Sequence, residues 1–381
     1  KMKPIYLDYN ATTPVLPRVF EAMQPFFTAQ FGNPASGHLW GLKAKRALDN
    51  ARQQLASLIA CHPWEIVYTS CATESINTVL RGVLENKGPA HLVTTAIEHP
   101  ATMECSRFLQ SRGVEITWVP VDSQGVVAAD QVLAACGEHT RLISVMLANN
   151  ETGALQPLAE ISAQAKERGI LVHTDAAQAT GKIPVNVQNL GVDFLTIAGQ
   201  KMFAPKGIGA LFVREQAKEH ITPLLFGGGQ EGGLRSGTEN VPYIIGLGEA
   251  SALAGESLPA EGERQQELGR LFWQGLCGLN IELRLFSSEV NRLPNTMFIG
   301  FAGIRAADII SGLAGMDVGA SAGAACHGDQ TTISHVLEAM QAPMEYAQGA
   351  IRFSWGRPTT TEDIQEVVNR LGTTLSMLKK T

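Results

Sequence analysis

Two strand-like runs bring an acid and an amine into the same part of the chain. "ILVHTDA" (170–176) ends by presenting Asp175, and "DFLTIA" (193–198) leads into Gly199, Gln200 and Lys201, followed by a Pro-Lys-Gly turn. A lysine held just past a strand can form a Schiff base with a carbonyl compound. A carboxylate held past the neighbouring strand can keep a pyridine nitrogen protonated, which is what makes pyridoxal phosphate (PLP) an electron sink. The phosphate of such a group needs N–H donors at a helix start, and "SCATES" opens a helical pattern with Ala72 and Thr73 at its mouth. His99, after "HLVTTAI", is placed to lie over the ring. Taken singly, each has an ordinary explanation: an Asp after a strand caps a helix, and a lone His satisfies a backbone group. Their order, each at a strand end, points to the cofactor.

A second chemical feature lies far along the chain, in "GASAGAACHGD" (319–329). Cys326 follows glycine, alanine and serine, with nothing large beside it to pack it into a core. The nucleophilic form of such a thiol is the thiolate, a minority species at an unperturbed pKa of about 8.5. His327, directly adjacent, can take the proton or, when charged, favour the thiolate. The other cysteines stand at 61, 71, 105, 136 and 277. No Cys-x-x-Cys pair and no Cys/His spacing of zinc type occurs, so the sequence predicts free thiols and no metal.

The elements that must position these groups read as an α/β fold. Strand-like runs at 65–70, 91–97, 115–121, 142–148, 170–176, 193–198 and 209–214 alternate with helical patterns at 73–86, 102–113 and 158–169. That alternation predicts a mostly parallel central sheet with helices on both faces and right-handed crossovers. Ligands in such sheets collect beyond the carboxyl ends of the strands. Thr73 and Glu74, Glu98 and His99, Asn149 and Asn150, Asp175 and Gln178, and Gln200 and Lys201 all fall there. After residue 257 the pattern changes to a long polar helix (260–278), short strands and a closing helix (361–378). The expected organisation is a large domain over 14–257 and a smaller α+β domain from 1–13 and 258–381, which carries the cysteine loop at about 319–334.

The 381 residues are 45% hydrophobic and 17% charged, with a formal net charge of −6. This is an ordinary globular composition, able to bury a core without disulfide or metal staples. No basic stripe suggests nucleic acid, and no apolar run is long enough to cross a bilayer. The opening "KMKPIYLDYNATTP" has no signal-type apolar stretch, so the expectation is a cytoplasmic protein.

The motifs "YLDYNATTP", "FGNPAS", "TSCATESIN", "EHPA", "NNETG", "HTDAAQ", "GQKMFAPKGIGAL", "GGGQEGGLRSGTEN" and "IRFSWGR" follow one another from about residue 4 to 375. Together they resemble a cysteine desulfurase of the NifS/IscS-like group, within the class V aminotransferases and the fold-type I PLP enzymes. The resemblance implies conversion of L-cysteine to L-alanine, with the sulfur taken by Cys326 as a persulfide for delivery to an acceptor protein, as in iron–sulfur cluster assembly. It implies that Lys201 carries the cofactor, Asp175 pairs with the ring nitrogen, and His99 stacks on the ring and helps move protons. Gln178 and Asn150 would bond near the phenolic oxygen and the substrate. Ala72 and Thr73 would hold the phosphate, with Gly199 and Gln200 completing the cofactor-binding run. Thr238 would reach the phosphate site of a neighbouring subunit, which implies a homodimer. Arg352 would clamp the substrate carboxylate and Asn33 would line its pocket.

Three positions depart from the family pattern. Gln200 stands where relatives usually carry His, Ala198 where many have a phosphate-binding Ser, and Cys71 where Gly is frequent. One lost hydrogen bond is worth on the order of 1 kcal/mol, so the cofactor is expected to bind, less tightly. The loop sequence "GAACH" also resembles selenocysteine lyases, which leaves L-selenocysteine open as an alternative substrate. An aminotransferase or other β-lyase of the same fold would have no need of Cys326, and a non-catalytic scaffold no need of the whole set.

Overall fold

The computed structural model describes residues 2–85, 88–323 and 333–378. The N-terminal part runs β1 (Ile5–Tyr6), α1 (Pro17–Met23), α2 (Pro25–Thr28), α3 (Leu39–Ile59), β2 (Ile66–Thr69), α4 (Ala72–Leu84), β3 (His91–Thr95), α5 (Pro100–Ser111), β4 (Glu115–Val119), α6 (Ala129–Ala134) and β5 (Thr140–Ser144). It continues through α7 (Leu158–Glu167), β6 (Leu171–Asp175), α8 (Val187–Leu190), β7 (Phe194–Ala198) and β8 (Gly209–Val213) to α9 (Val241–Cys277). The last third holds β9 (Leu283–Leu285), β10 (Thr296–Phe301), α10 (Ala306–Ala314), β11 (Val318–Gly319), β12 (Ser321–Ala322), α11 (His335–Ala339), α12 (Met344–Ala347), β13 (Ala350–Ser354) and α13 (Thr361–Leu378).

All seven strand-like runs of the first half enter one sheet, in the order β2-β8-β7-β6-β5-β3-β4. Every neighbouring pair is parallel except those made by β8, which runs against both β2 and β7. β3, β6, β7 and β8 are almost wholly buried, which is why they read as near-continuous apolar runs rather than alternating ones. His173, inside β6, is a core residue: its Nδ1 meets Ser144 Oγ at 2.8 Å and its Nε2 meets Thr196 Oγ1 at 3.0 Å. Burial pulls its pKa down to about 3, so it stays neutral.

A second, antiparallel sheet has the order β12-β13-β10-β9. Its core of Phe272, Phe301, Phe353, Trp355 and the apolar stripe of α13 is distinct from the cores on either face of the large sheet. Ile5 and Leu7, from the chain start, belong to this second core. Each such buried side chain contributes roughly 1.5–3 kcal/mol relative to exposure.

The two parts are joined by a helix that starts well before the expected residue 260. α9 is one helix of 37 residues with Pro259 inside it. Its first half packs Val241, Ile244, Leu247 and Ala250 on the large core, and its second half packs Leu268, Phe272 and Leu276 on the small one. An internal proline costs about 3 kcal/mol in a helix. Burial at both ends exceeds that, so the helix carries through where local sequence signals a stop.

Candidate active site

A cavity of about 250 Å³ opens at the carboxyl ends of β2, β3, β5, β6 and β7. Cys71, Ala72 and Thr73 line it from the end of β2, and His99 from the end of β3. Met146, Ala148 and Asn150 follow β5, while Asp175, Ala177 and Gln178 follow β6. Ala198, Gln200 and Lys201 follow β7, Gly207 and Ile208 precede β8, and Arg352 enters from β13 of the small sheet. Asn10 and Ala11, from the N-terminal segment, close the wall.

Lys201 ends a single turn of 3-10 helix, Gly199–Lys201, directly after β7. Its Nζ donates to Asn10 O at 2.6 Å and Ala11 O at 2.5 Å. Burial, then Arg352, pulls its pKa down to about 8, against the opposing pull of Asp8 and Asp175. That places the nucleophilic free amine within reach of neutral pH. Asp175 closes β6, and its Oδ1 accepts the Ala177 N–H at 2.9 Å. Burial raises its pKa, while His99, the Ala177 N–H and Lys201 hold it down. His99 caps α5, with Nδ1 accepting the Ala101 N–H at 3.1 Å. Burial lowers the His99 pKa. With Nδ1 used as an acceptor, a neutral ring carries its proton on Nε2.

The opposite end of the cavity suits an anion. Cys71 is the extended N-cap of α4, and its side chain makes no capping bond. The first N–H groups of α4 have no intrahelical partner and carry the positive end of the helix dipole. Gly209 lets β8 approach closely here: a Cβ on it would lie 2.8 Å from the Cys71 carbonyl carbon. Ala198 offers no side-chain donor to this wall, and Gln200 Oε1 accepts the Thr12 hydroxyl at 3.0 Å.

Arg352 is held from two sides. Its NH2 pairs with Asp8 Oδ1 at 2.8 Å and its NH1 donates to Asn150 O at 3.0 Å. Its Nε, and Asn150 Oδ1 in the same wall, are buried without partners. Two unpartnered polar atoms on residues that line one cavity point to a ligand site there. With a free amine, a carboxylate, an imidazole and an uncapped helix start, the donor set fits PLP plus an amino-acid carboxylate.

Other predicted residues fall elsewhere. Asn33 is exposed and turns its Oδ1 back to the Ala35 N–H at 2.9 Å, outside the cavity wall. Thr238 is exposed and also lies outside this chain's own cavity. Gly199 is buried behind the wall, where a Cβ would meet Ile208 at 2.8 Å, so it shapes the turn rather than lining the site. Glu74 points away, pairing with Arg235 Nε at 2.8 Å and accepting the Ser70 N–H at 2.7 Å. Asn149 Oδ1 accepts the N–H groups of Glu151 and Thr152 and so builds the turn that presents Asn150.

Cys326 and His327 lie outside the described residues. The residues flanking that stretch are described, and both meet Glu151, the neighbour of Asn150. Ser334 Oγ donates to Glu151 Oε2, and a Cβ built on Gly323 would lie 2.8 Å from the same oxygen. The described residues on either side of 324–332 therefore lie beside the cavity.

Sequence reasoning passed over Asp8, Asn10 and Lys182. Asn10 Oδ1 accepts from Lys182 and from Asn295, its Nδ2 donates to Thr296 Oγ1, and its carbonyl accepts from Gln178 and Lys201. The motif "YLDYNATTP" was the available signal. Its two-residue strand, Ile5–Tyr6, is too short to read from the sequence, so nothing local assigns it a role.

Residues 5–367 match the family Aminotransferase class-V. The "Cysteine desulfurase IscS" of Dictyoglomus turgidum is 42% identical over 380 residues, covering 99% of this chain and 96% of that protein. A solved structure named as a NifS-like protein superposes with a TM-score of 0.92 at 37% identity, covering 99% of this chain and all of that one. A structure described as SspA in complex with cysteine gives 0.82 at 34% identity, covering 92% of this chain and 98% of that one.

Proposed function

The chain belongs to the class-V aminotransferase family, and from that premise we propose that its cavity binds PLP and L-cysteine and that the protein is a cysteine desulfurase. The observation that carries this reading is the convergence of Lys201, Asp175, His99 and the unpartnered edge of Arg352 on one cavity. Bound PLP withdraws electrons from the α carbon of an attached amino acid. Lys201 is the residue that holds it covalently. The Asp175 carboxylate keeps the ring nitrogen protonated, and the N–H groups of Ala72 and Thr73 hold the phosphate at the α4 start. Arg352 receives the substrate carboxylate on its free guanidinium edge. His99 and the Lys201 amine hold or move the proton at the substrate α carbon.

Cys326 is proposed as the sulfur acceptor. Its thiolate attacks the substrate sulfur, an S–S bond forms and the C–S bond breaks. The electron pair of the C–S bond stays on carbon, which takes up a proton and leaves as alanine. Cysteine plus thiol thus become alanine plus persulfide, with no external oxidant or reductant. The two ends of the 324–332 stretch beside Glu151 support a short path to the cavity. Release of alanine from L-cysteine by wild type and Cys326→Ala, with L-selenocysteine in parallel, tests this reading. The expected result is a Cys326→Ala protein that keeps its cofactor colour and makes no alanine from cysteine. Undiminished alanine release would refute the nucleophile, and a wild type preferring selenocysteine would refute the substrate.

A homodimer in the cytoplasm is proposed with it, passing sulfur to an acceptor protein such as one that assembles iron–sulfur clusters. The support is a set of exposed large apolar side chains, Phe20, Phe27, Phe31, Leu39, Trp40 and Phe226, together with an exposed Thr238 that its own cavity does not use. No helix among the described residues is long and apolar enough to cross a membrane.

A further inference from the structure

Lys182 is a buried amine that the reaction as derived above does not use. It follows the turn after β6, and its Nζ donates to Gln178 Oε1 at 2.7 Å and to Asn10 Oδ1 at 2.8 Å. Both acceptors are amide oxygens, and no ion pair involves it among the described residues. Burial, and then repulsion by Lys201 and Arg352, brings its pKa well below the ordinary lysine value. A buried cation without an acid is expensive to keep, and a methionine would fill the same volume at no such penalty.

What the amine accomplishes is visible in Gln178. The Gln178 amide has Oε1 on Lys182 and Nε2 on Asn10 O at 3.0 Å. The reverse orientation would set an NH2 against the lysine donor and a carbonyl against a carbonyl. Both contacts favour this one orientation, and without Lys182 only the Asn10 carbonyl is left to hold it. In that orientation the second Nε2 hydrogen has no acceptor among the described residues, and Gln178 is part of the cavity wall.

We infer that Lys182 is a positioning residue that locks the Gln178 amide so that it offers a hydrogen-bond donor to the anionic oxygen of the bound cofactor. The inference rests on the PLP reading above. A donor at that oxygen stabilises negative charge there and lowers the pH at which the cofactor joined to Lys201 loses its proton. Removing the lock raises that pH.

The test is an absorbance titration of the reconstituted holoenzyme, following the visible band against pH in wild type, Lys182→Met, Gln178→Met and the double variant. The midpoint is expected to rise by about 0.5–1 pH unit in Lys182→Met, the size of one hydrogen bond. The double variant is expected to match Gln178→Met alone. Asp175 at the end of β6, His99 at the start of α5, Lys201 after β7, Arg352 on β13 and Asp8 in the N-terminal segment face the same space and are common to all four proteins. An unchanged midpoint in Lys182→Met, even with reduced thermal stability, would overturn the inference, and so would additive shifts. Where Lys182→Met does not fold, Lys182→Leu, which also lacks a donor, is titrated instead, and an unchanged midpoint there would overturn the inference equally. A wild type that takes up no colour would overturn the cofactor reading instead.

Discussion

Replacing Arg352 by lysine keeps the charge and removes the fork, and the structure says what that is worth. The guanidinium has five N–H donors. One goes to Asp8 Oδ1 and one to Asn150 O, while Nε is buried with no partner. An ammonium at the same place has three donors at a single point. With Asp8 and Asn150 satisfied, one remains, so a substrate carboxylate loses one arm of a two-pronged, charge-assisted contact. Such a bond is worth about 1.5–3 kcal/mol, which predicts a fall of roughly 10- to 150-fold in kcat/KM for alanine release from L-cysteine. Weaker inhibition by L-alanine is expected by a similar factor, because the product carries the same carboxylate. Cofactor colour and thermal stability are expected to hold, since Asp8 keeps a cationic partner. A loss under threefold, or a loss that tracks departure of the cofactor, would refute the assignment of Arg352 as the carboxylate clamp.

Two further outcomes concern a buried acid beside the site and the wall at the start of α4. Glu98 is fully buried, with Oε1 accepting Thr95 Oγ1 and the Met146 N–H and Oε2 unpartnered. Burial pushes its pKa up to about 8, from 4.5 in the unfolded chain. Unfolding therefore releases a proton between those values, and stability falls as pH rises through that window. Glu98→Gln removes the titration while keeping the Oε1 contacts, so its melting temperature is expected to gain on wild type by several degrees between pH 5 and 9. A difference that stays constant with pH would count against it. Ala198→Ser restores a hydroxyl to the wall at the α4 start. The expected outcome is five- to tenfold tighter cofactor retention, measured by reconstitution of the apoprotein or by loss of colour on prolonged dialysis. Equal retention would show that position 198 does not touch the phosphate.

The residues of this cavity were legible in the sequence wherever they sit at the edge of a regular element. Asp175, Lys201 and His99 each end or follow a buried strand, and strand ends in a parallel sheet converge by geometry alone. The apolar runs therefore dictated which residues would meet. Thr73 was readable for a similar reason, because a helix start has free N–H groups in any tertiary context.

Other features depend on contacts that no local pattern encodes. Asn10 and Asp8 lie in an N-terminal segment whose partners, Lys201, Gln178 and Arg352, are hundreds of residues away or nearly so. Nothing in the local sequence around Lys182 marks it as buried, and packing leaves it amide oxygens to bond. Glu74 and Glu98 occupy equivalent places after strands, yet one turns out to Arg235 and the other is sealed in the core. Local sequence determines which backbone groups need partners. Which distant side chain supplies them, and whether water is excluded while it does, is decided only when the two sheets and their helices close around one another.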